Sequence, residues 1–271
     1  MNDIQYELLP TPGNGLSHSY GPNVHLLSYP YLMSILARLC SSECVQPEVN
    51  SLVSTLYDAL LGEVASTLLK RSIVDLPTRM EPMHPSGRYI GECIDRDQNV
   101  VVVDIARAGI LPSHRFHEGL HKVVNPSGIR QDHVVASRTT DASGQVTGVA
   151  LTGSKIGGTV DDATVLFPDP MAATGSSIAG VIEHYKRAVP GTARAMAAIH
   201  LITTPEYLRR ITTQFPNLHV FAIRLDRGLS TPEVLRTVPG TQWELETGLN
   251  EQQYIIPGAG GVGEVMNNSW I

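Results

Sequence analysis

The residues best suited to chemistry sit in one stretch, Val165-Leu166-Phe167-Pro168-Asp169-Pro170-Met171-Ala172-Ala173-Thr174-Gly175-Ser176-Ser177. Val165 to Phe167 is a short apolar run closed by proline, the pattern of a buried strand in a parallel sheet. Ile178, Val181, Ile182 and Tyr185 then recur at i, i+3, i+4 and i+7, one face of a helix. In the turn between them, Ala173-Thr174-Gly175-Ser176-Ser177, nothing bulky blocks the backbone. A phosphate can rest there on the free N–H groups at a helix N-terminus, with the hydroxyls of Thr174, Ser176 and Ser177 as further donors. Asp169, at the strand end, is placed to accept hydrogen bonds from sugar hydroxyls. The ordinary alternative is a β–turn–α unit with a serine cap. The turn is not a Walker loop, because no Gly-Lys-Ser/Thr follows, and it lacks the three-glycine spacing of a dinucleotide fold.

Two further segments carry chemistry. Asp104-Ile105-Ala106-Arg107-Ala108-Gly109 follows a valine-rich strand directly, and a guanidinium beside a small turn can hold a diphosphate by charge-assisted bonds. Tyr254-Ile255-Ile256-Pro257-Gly258-Ala259-Gly260-Gly261-Val262-Gly263-Glu264 places four glycines in six residues after an apolar run. Such a density requires close backbone approach or positive φ. A lone Arg-Ala-Gly reads equally well as a helix entry, and a glycine-rich end as a tail.

These segments need a frame to bring them together. Asn99–Asp104, 133–136, 163–167, 195–202 and 218–223 read as strands, and helices are expected near 112–122, 177–188 and 205–213. Alternation of this kind implies a mostly parallel sheet covered on both faces, with the strand-to-helix loops on one edge, where α/β proteins bind ligands. Arg138 ends the second of these strands and opens a polar, Gly-rich strip to Gly158, which reads as a mobile hairpin turning at Asp141–Gly144. Ahead of the sheet, residues 1–30 read as a surface arm. A helix is expected near Tyr31 to Cys44, and a second carries Val53, Leu56, Tyr57, Leu60, Leu61, Val64 and Leu68 on one face for core or dimer packing. Thr78–Gly91, with Pro82 and Pro85, reads as a loop. The expected organisation is a single domain, with 1–98 an arm and helices packed on a core of 99–271.

Composition narrows the function classes. The chain has 271 residues, 42% apolar and 17% charged, as expected of a soluble globular protein. No apolar run approaches the roughly 20 residues that span a bilayer, and the acidic N-terminus lacks the marks of a signal peptide. A net charge of −6 argues against a dominant nucleic-acid partner. Three cysteines, Cys40, Cys44 and Cys93, fit a reducing cytoplasm. Cys40 and Cys44 read as buried small hydrophobes, and the ten histidines show no zinc-site spacing, so no protein metal site is expected.

The Asp169–Ser177 turn resembles the phosphoribosyl-diphosphate (PRPP) signature of type I phosphoribosyltransferases, and Asp-Pro-Met-x-Ala-Thr-Gly is close to the form in uracil phosphoribosyltransferases. Arg107-Ala108-Gly109 matches that family's Arg-Ala-Gly element, and Arg138 its second pyrophosphate arginine at the start of the flexible hairpin. Tyr254–Glu264 resembles its C-terminal hood, Tyr-Ile-Val-Pro-Gly-Leu-Gly-Asp-Ala-Gly-Asp, where the base is read largely by backbone groups. Leu225–Leu229, Gly248–Glu251 and Thr203-Thr204-Pro205-Glu206 also resemble family segments. The resemblance covers about Val100 to Asn267. It implies the type I phosphoribosyltransferase fold with flexible hairpin and hood. It also implies PRPP held by Arg107, Arg138, Asp169, Pro170, Met171, Ala172, Ala173, Thr174, Gly175, Ser176 and Ser177, and a base read at Ile255, Gly260, Gly261 and Val262.

The expected reaction is transfer of the 5-phosphoribosyl group from PRPP to uracil, giving UMP and pyrophosphate in pyrimidine salvage. Mg²⁺ would be carried mainly by PRPP, and a cytoplasmic homo-oligomer, dimer or tetramer, is implied, with the N-terminal helices as a candidate interface. Two departures keep alternatives open. The hood's first acid falls on Gly261 and its second on Glu264, so a carboxylate is missing unless Glu264, Asp226 or an insertion at 230–247 replaces it. The alternatives are the same chemistry on a modified pyrimidine or related heterocycle, and a catalytically weak PRPP or nucleotide sensor. The sequence leaves open the base, the insertion's role, control by GTP, the oligomer size and any general base.

Overall fold

The computed structural model describes residues 15–140 and 146–269, and side chains outside 137–151. Valine- and leucine-rich runs form the central strands because each must bury both faces. These are β4 (Val100–Ala106), β7 (Thr164–Pro168), β9 (Ala195–Thr203) and β10 (Leu218–Leu225). With β1 (Val24–Leu26), β5 (Ile129–Thr140), β6 (Val146–Lys155) and the short β8 (Met171–Ala172), they make one eight-stranded sheet in the order β1-β10-β9-β7-β4-β5-β6, β8 pairing with β9. Every pairing is parallel except the β5–β6 hairpin.

Alternate residues of each strand feed two cores. Val100, Val102, Leu166, Ile199 and Phe221 pack beneath α1 (Pro30–Leu39), α2 (Glu48–Leu68) and α3 (Ile110–Leu120). Val101, Val103, Val165, Phe167, Ala198 and Val220 pack beneath α4 (Ser176–Ala188) and α5 (Pro205–Gln214). The α2 stripe expected to serve core or dimer packing is spent on the sheet: Val53, Leu56, Tyr57, Leu60 and Val64 are fully buried there. α3 leaves β4 over one face and α4 leaves β7 over the other. The chain therefore reverses direction between two adjacent parallel strands, which opens a crevice at their carboxyl ends.

Three elements differ from the sequence expectation. The arm is not only a wrap: β1 pairs with β10, and Tyr20, Val24, Leu26 and Leu27 are buried. The segment read as a loop at 78–91 is a loop only over 78–87; residues 88–91 begin β3 (Arg88–Ile94), which pairs with β2 (Arg71–Pro77) as a separate antiparallel hairpin. Its strands are half-exposed and lack a buried run, and Pro82 and Pro85 fall in the connection, so alternation was masked. The insertion at 230–247 folds into α6 (Pro232–Leu235) and a 3₁₀ turn at Trp243–Leu245.

Glu246 bolts that insertion down. Its fully buried carboxylate accepts from Arg227 Nη1 at 2.8 Å, from Gly240 N–H at 2.8 Å and from the Tyr20 hydroxyl. Trp243 meets the Tyr20 ring edge-on at 4.8 Å and donates its indole N–H to Pro205 O at 2.9 Å. Glu246→Ala would leave the Arg227 charge uncompensated, and the expected cost is about 3–5 kcal/mol. Urea denaturation of the variant and wild type checks this; a loss under about 1 kcal/mol would show that water replaces the carboxylate.

Candidate active site

The crevice is lined by the loops that leave β4, β7, β9 and β10. After β7, Asp169 donates its N–H to Ile199 O at 2.9 Å, so the loop starts on the neighbouring strand. Pro170, Met171 and Ala172 continue along β9, with Met171 opposite Ile202 and Ala172 opposite Thr203. Ala173 O accepts from Thr204 Oγ1 at 2.7 Å. Gly175 then takes a left-handed conformation, φ 76°, and becomes the N-cap of α4, so glycine rather than the alternative serine caps this helix. The first bond across the turn is Ala179 N–H to Gly175 O at 3.0 Å. The N–H groups of Ser177 and Ile178 therefore have no carbonyl a turn earlier to bond and point out of the helix, as an anion requires. Thr174 and Ser176 hydroxyls lie 2.7 Å apart over the same turn.

The second wall is the turn after β4. The Ala106–Arg107 peptide is cis, and Arg107 is exposed. A methyl on Gly109 would lie 2.7 Å from Ile105 O and 3.0 Å from Pro168 O, so glycine is what lets this turn press against the end of β7. Arg107 and the Asp169 loop are thus neighbours across the switch point. Arg138 lies on β5 opposite Val149; its side chain is outside the described residues, as is the expected turn at 141–144. The hairpin itself is present in the described parts of β5 and β6.

The glycine-rich segment folds back over Arg107. It is not a strand, making only a bridge between Leu249 and Ile255, and it ends in a short helix, α7 (Val262–Asn267). Ile255 and Val262 are buried, whereas Gly260 is exposed with φ 65° and open space beside it. Arg107 Nη1 donates to Ser269 Oγ at 2.7 Å, and a methyl on Gly263 would lie 3.3 Å from Ala108 Cβ. Hood and Arg-Ala-Gly turn are therefore in contact.

Carboxylates hold this irregular backbone. Asp226 is buried, bonded to Arg224 through both oxygens at 2.6 and 2.8 Å, and accepts from Gly258 N–H at 2.8 Å. That removes Asp226 as a replacement for the acid missing at 261. Glu206 Oε1 accepts the N–H groups of Gly248 and Leu249 at 2.9 and 3.2 Å, so the Thr-Thr-Pro-Glu turn anchors the approach to the hood. Glu264 differs: its Oε2 would lie 2.5 Å from a Cβ at position 261, so its carboxylate fills the space over Gly261.

Sequence reasoning passed over two buried partners of the site. Asp104, three residues before Arg107, meets His133 Nδ1 at 2.9 Å, and burial raises its pKa. His200, on β9 beneath Asp169, is fully buried; its Nδ1 lies 2.6 Å from Asp169 O and its Nε2 2.6 Å from the Tyr207 hydroxyl. A histidine within an apolar run gives no pattern that would single it out. Among the described residues no three His, Cys, Asp or Glu side chains are grouped to hold a metal, and no helix is long and apolar enough to cross a membrane.

Comparison with known proteins places this chain in a family. A family model described as Uracil phosphoribosyltransferase matches residues 28–242. The uracil phosphoribosyltransferase of Thermococcus sibiricus is 27% identical over 235 residues, 87% of this chain and 85% of its own length. That of Polaromonas naphthalenivorans is 26% identical over 243 residues, 89% of this chain and 96% of its own. Among solved structures, the AQ2163 protein from Aquifex aeolicus shares the fold, with a TM-score of 0.64 at 20% identity over 90% of this chain and 97% of its own.

Burial pushes the His200 pKa down to about 4, against an ordinary value of 6.5. The unfolded chain therefore takes up this proton first as pH falls. The His200 contribution to stability is complete above about pH 6.5 and is lost towards pH 4. Urea denaturation across that window is expected to show a flatter pH dependence for His200→Val than for wild type; equal slopes would mean that the imidazole protonates freely in the fold.

Proposed function

This chain belongs to the uracil phosphoribosyltransferase family, and from that premise we propose that it transfers the 5-phosphoribosyl group of PRPP to uracil, giving UMP and pyrophosphate. It has the type I phosphoribosyltransferase fold and is a pentosyltransferase that uses PRPP. The observation that carries the finer reading is the contact of three segments at one switch point: the Asp169–Ser177 loop, the Arg107 turn and the hood.

In this reading the 5′-phosphate sits on the N–H groups and hydroxyls of Ala173–Ser177, with Pro170, Met171 and Ala172 shaping the wall. The Asp169 carboxylate accepts from the ribose hydroxyls. Arg107 exchanges Ser269 for the diphosphate and, with Arg138, stabilises the charge that grows as the C1′–O bond breaks. The base nitrogen attacks C1′ from the hood side, where the backbone of Ile255, Gly260, Gly261 and Val262 reads its edge. Catalysis comes from positioning and from fixed charges aimed at the leaving group. Mg²⁺ suits this donor set of carboxylates and phosphate oxygens and would neutralise diphosphate charge. Asp169 and Glu264 are the described residues placed to orient it, the rest of its shell coming from PRPP and water.

Glu264 supplies the hood carboxylate that position 261 lacks. A carboxylate reaching the crevice from another position reshapes the base side, and this favours, as a second reading, the same chemistry on a modified pyrimidine. We read 1–98 as an arm and helices on the core of 99–271, in one domain. Three free thiols support a cytoplasmic setting. The exposed Ile73, Leu76 and Met83 of the β2–β3 hairpin support a homo-oligomer.

Pyrophosphate release from PRPP and Mg²⁺, with uracil and without base, tests the proposal. Uracil-dependent release with UMP formed is expected; faster turnover of another pyrimidine would transfer the assignment to that base. Arg107→Ala is expected to lower kcat by about 10²-fold with little change in base affinity. Unchanged turnover in this variant would remove Arg107 from the reaction.

A further inference from the structure

Beneath the phosphate loop lies a polar pair that the proposed mechanism does not use. His200 points from β9 into a core otherwise built of Ile178, Val181, Leu208, Ile211 and Ala222. An apolar side chain would pack there without a hydrogen-bond requirement, and a buried imidazole is tolerated only with partners at both nitrogens. Both partners are present, and they order the protons. Asp169 O can only accept, so Nδ1 carries the hydrogen, at 2.6 Å. Nε2 is then an acceptor, and the Tyr207 hydroxyl donates to it, also at 2.6 Å.

The chain from Tyr207 leads back to the same loop. A methyl on Gly175 would lie 3.2 Å from Tyr207 Cδ2, so the tyrosine ring underlies the left-handed glycine that caps α4. Tyr207 is itself fixed by its N–H, which donates to Thr204 Oγ1 at 3.0 Å, and that hydroxyl donates to Ala173 O at 2.7 Å. The start of α5 thus holds the loop at Asp169, Ala173 and Gly175.

We infer that His200 and Tyr207 are positioning residues that set the separation and orientation of the two ends of the phosphate loop, and through it the affinity for the phosphoribosyl group. The inference rests on the PRPP reading above. The carbonyl of Asp169, not its carboxylate, is the atom gripped, so the pair fixes the peptide from which the ribose-binding side chain projects. The neutral imidazole is the form that does this, in keeping with its burial and its pKa of about 4. The pair acts before chemistry, on the geometry of the bound ground state, and leaves the bond-breaking step to the groups in the crevice.

Calorimetric binding of PRPP with Mg²⁺, together with KM and kcat, tests this in four variants. Tyr207→Phe keeps the ring under Gly175 and removes only the hydroxyl. His200→Val removes both bonds. His200→Asn places an amide N–H at the bond distance of Nδ1 and restores the grip on Asp169, whereas His200→Gln places it at Nε2. The expected result is PRPP binding weakened about five- to tenfold in Tyr207→Phe, His200→Asn and His200→Gln, each of which loses one of the two bonds, and further in His200→Val, which loses both. In all four variants kcat stays within about twofold, and His200→Asn binds more tightly than His200→Val. Variants that lose thermal stability but bind PRPP as wild type does would overturn the inference, as would His200→Asn binding as weakly as His200→Val. If His200→Val does not fold, Tyr207→Phe carries the test. A wild-type chain that fails to bind PRPP overturns the functional reading and this inference with it.

Discussion

The structure depends on one constraint: strands that run parallel must be connected across a face, and both faces must then be covered. Here the connection after β4 goes over one face and the connection after β7 over the other. That reversal separates α3 from α4 at the carboxyl ends of two hydrogen-bonded strands. The Arg107 turn and the Asp169 loop meet there because β4 and β7 are neighbours, although Arg107 and Asp169 are 62 positions apart in sequence. Two glycines let them use the gap. Gly109 allows the first turn to touch the end of β7, and Gly175 supplies the left-handed cap that turns the second into a helix.

Apart from the Leu249–Ile255 bridge, residues 248–261 of the segment leading into α7 lack regular secondary structure, so their backbone groups need other partners. Side-chain carboxylates provide them. Asp226 takes the N–H of Gly258 while Arg224 neutralises it and donates to Gly258 O at 2.9 Å. Glu206 takes two N–H groups before the hood, and Glu246 secures the insertion against Arg227 and the N-terminal arm. The insertion is therefore wired to the hood's supports and not to the crevice: Trp243 bonds Pro205 O, next to the Thr204 that holds the phosphate loop and the Glu206 that holds the hood. A chain with residues inserted between β10 and the hood keeps the hood in place by binding the insert to α5.

The parts of this arrangement legible in the sequence are those set by local periodicity. The five central strands and the α4 face follow from uninterrupted apolar runs and a 3.6-residue repeat, and the structure places each within a few residues of expectation, save that β5 (Ile129–Thr140) runs well beyond the 133–136 read for it. The Asp169–Ser177 turn was legible because small residues, an acid and a helix start stand in order. What failed to show was set by distant partners. β1 is a strand only because β10 lies beside it, and β2 and β3 pair with one another while half their side chains remain in solvent. α7 starts within a glycine cluster that propensity alone would leave as coil. His200 and Tyr207 lie seven residues apart on a strand and a helix and bond each other, and the other partner of His200 is a main-chain carbonyl, which no residue pattern encodes.

The Gly261 departure acquires a physical meaning from the same kind of reasoning. The resemblance puts an acid at 261 and another at 264, and this chain keeps only the second. With the helix α7 starting at Val262, residues 261 and 264 stand one turn apart, and side chains at that spacing share one patch of surface. The Glu264 carboxylate already occupies the patch, since even a Cβ at 261 would come within 2.5 Å of its Oε2. A side chain at 261 and the present Glu264 conformation therefore exclude each other. The glycine at 261 and the present Glu264 rotamer go together. In the proposed reading the hood contributes one carboxylate, carried by α7, whose Gly263 packs against Ala108 of the Arg107 turn. In the proposed reading the base meets the backbone of Gly260 and Gly261, with open space beside Gly260.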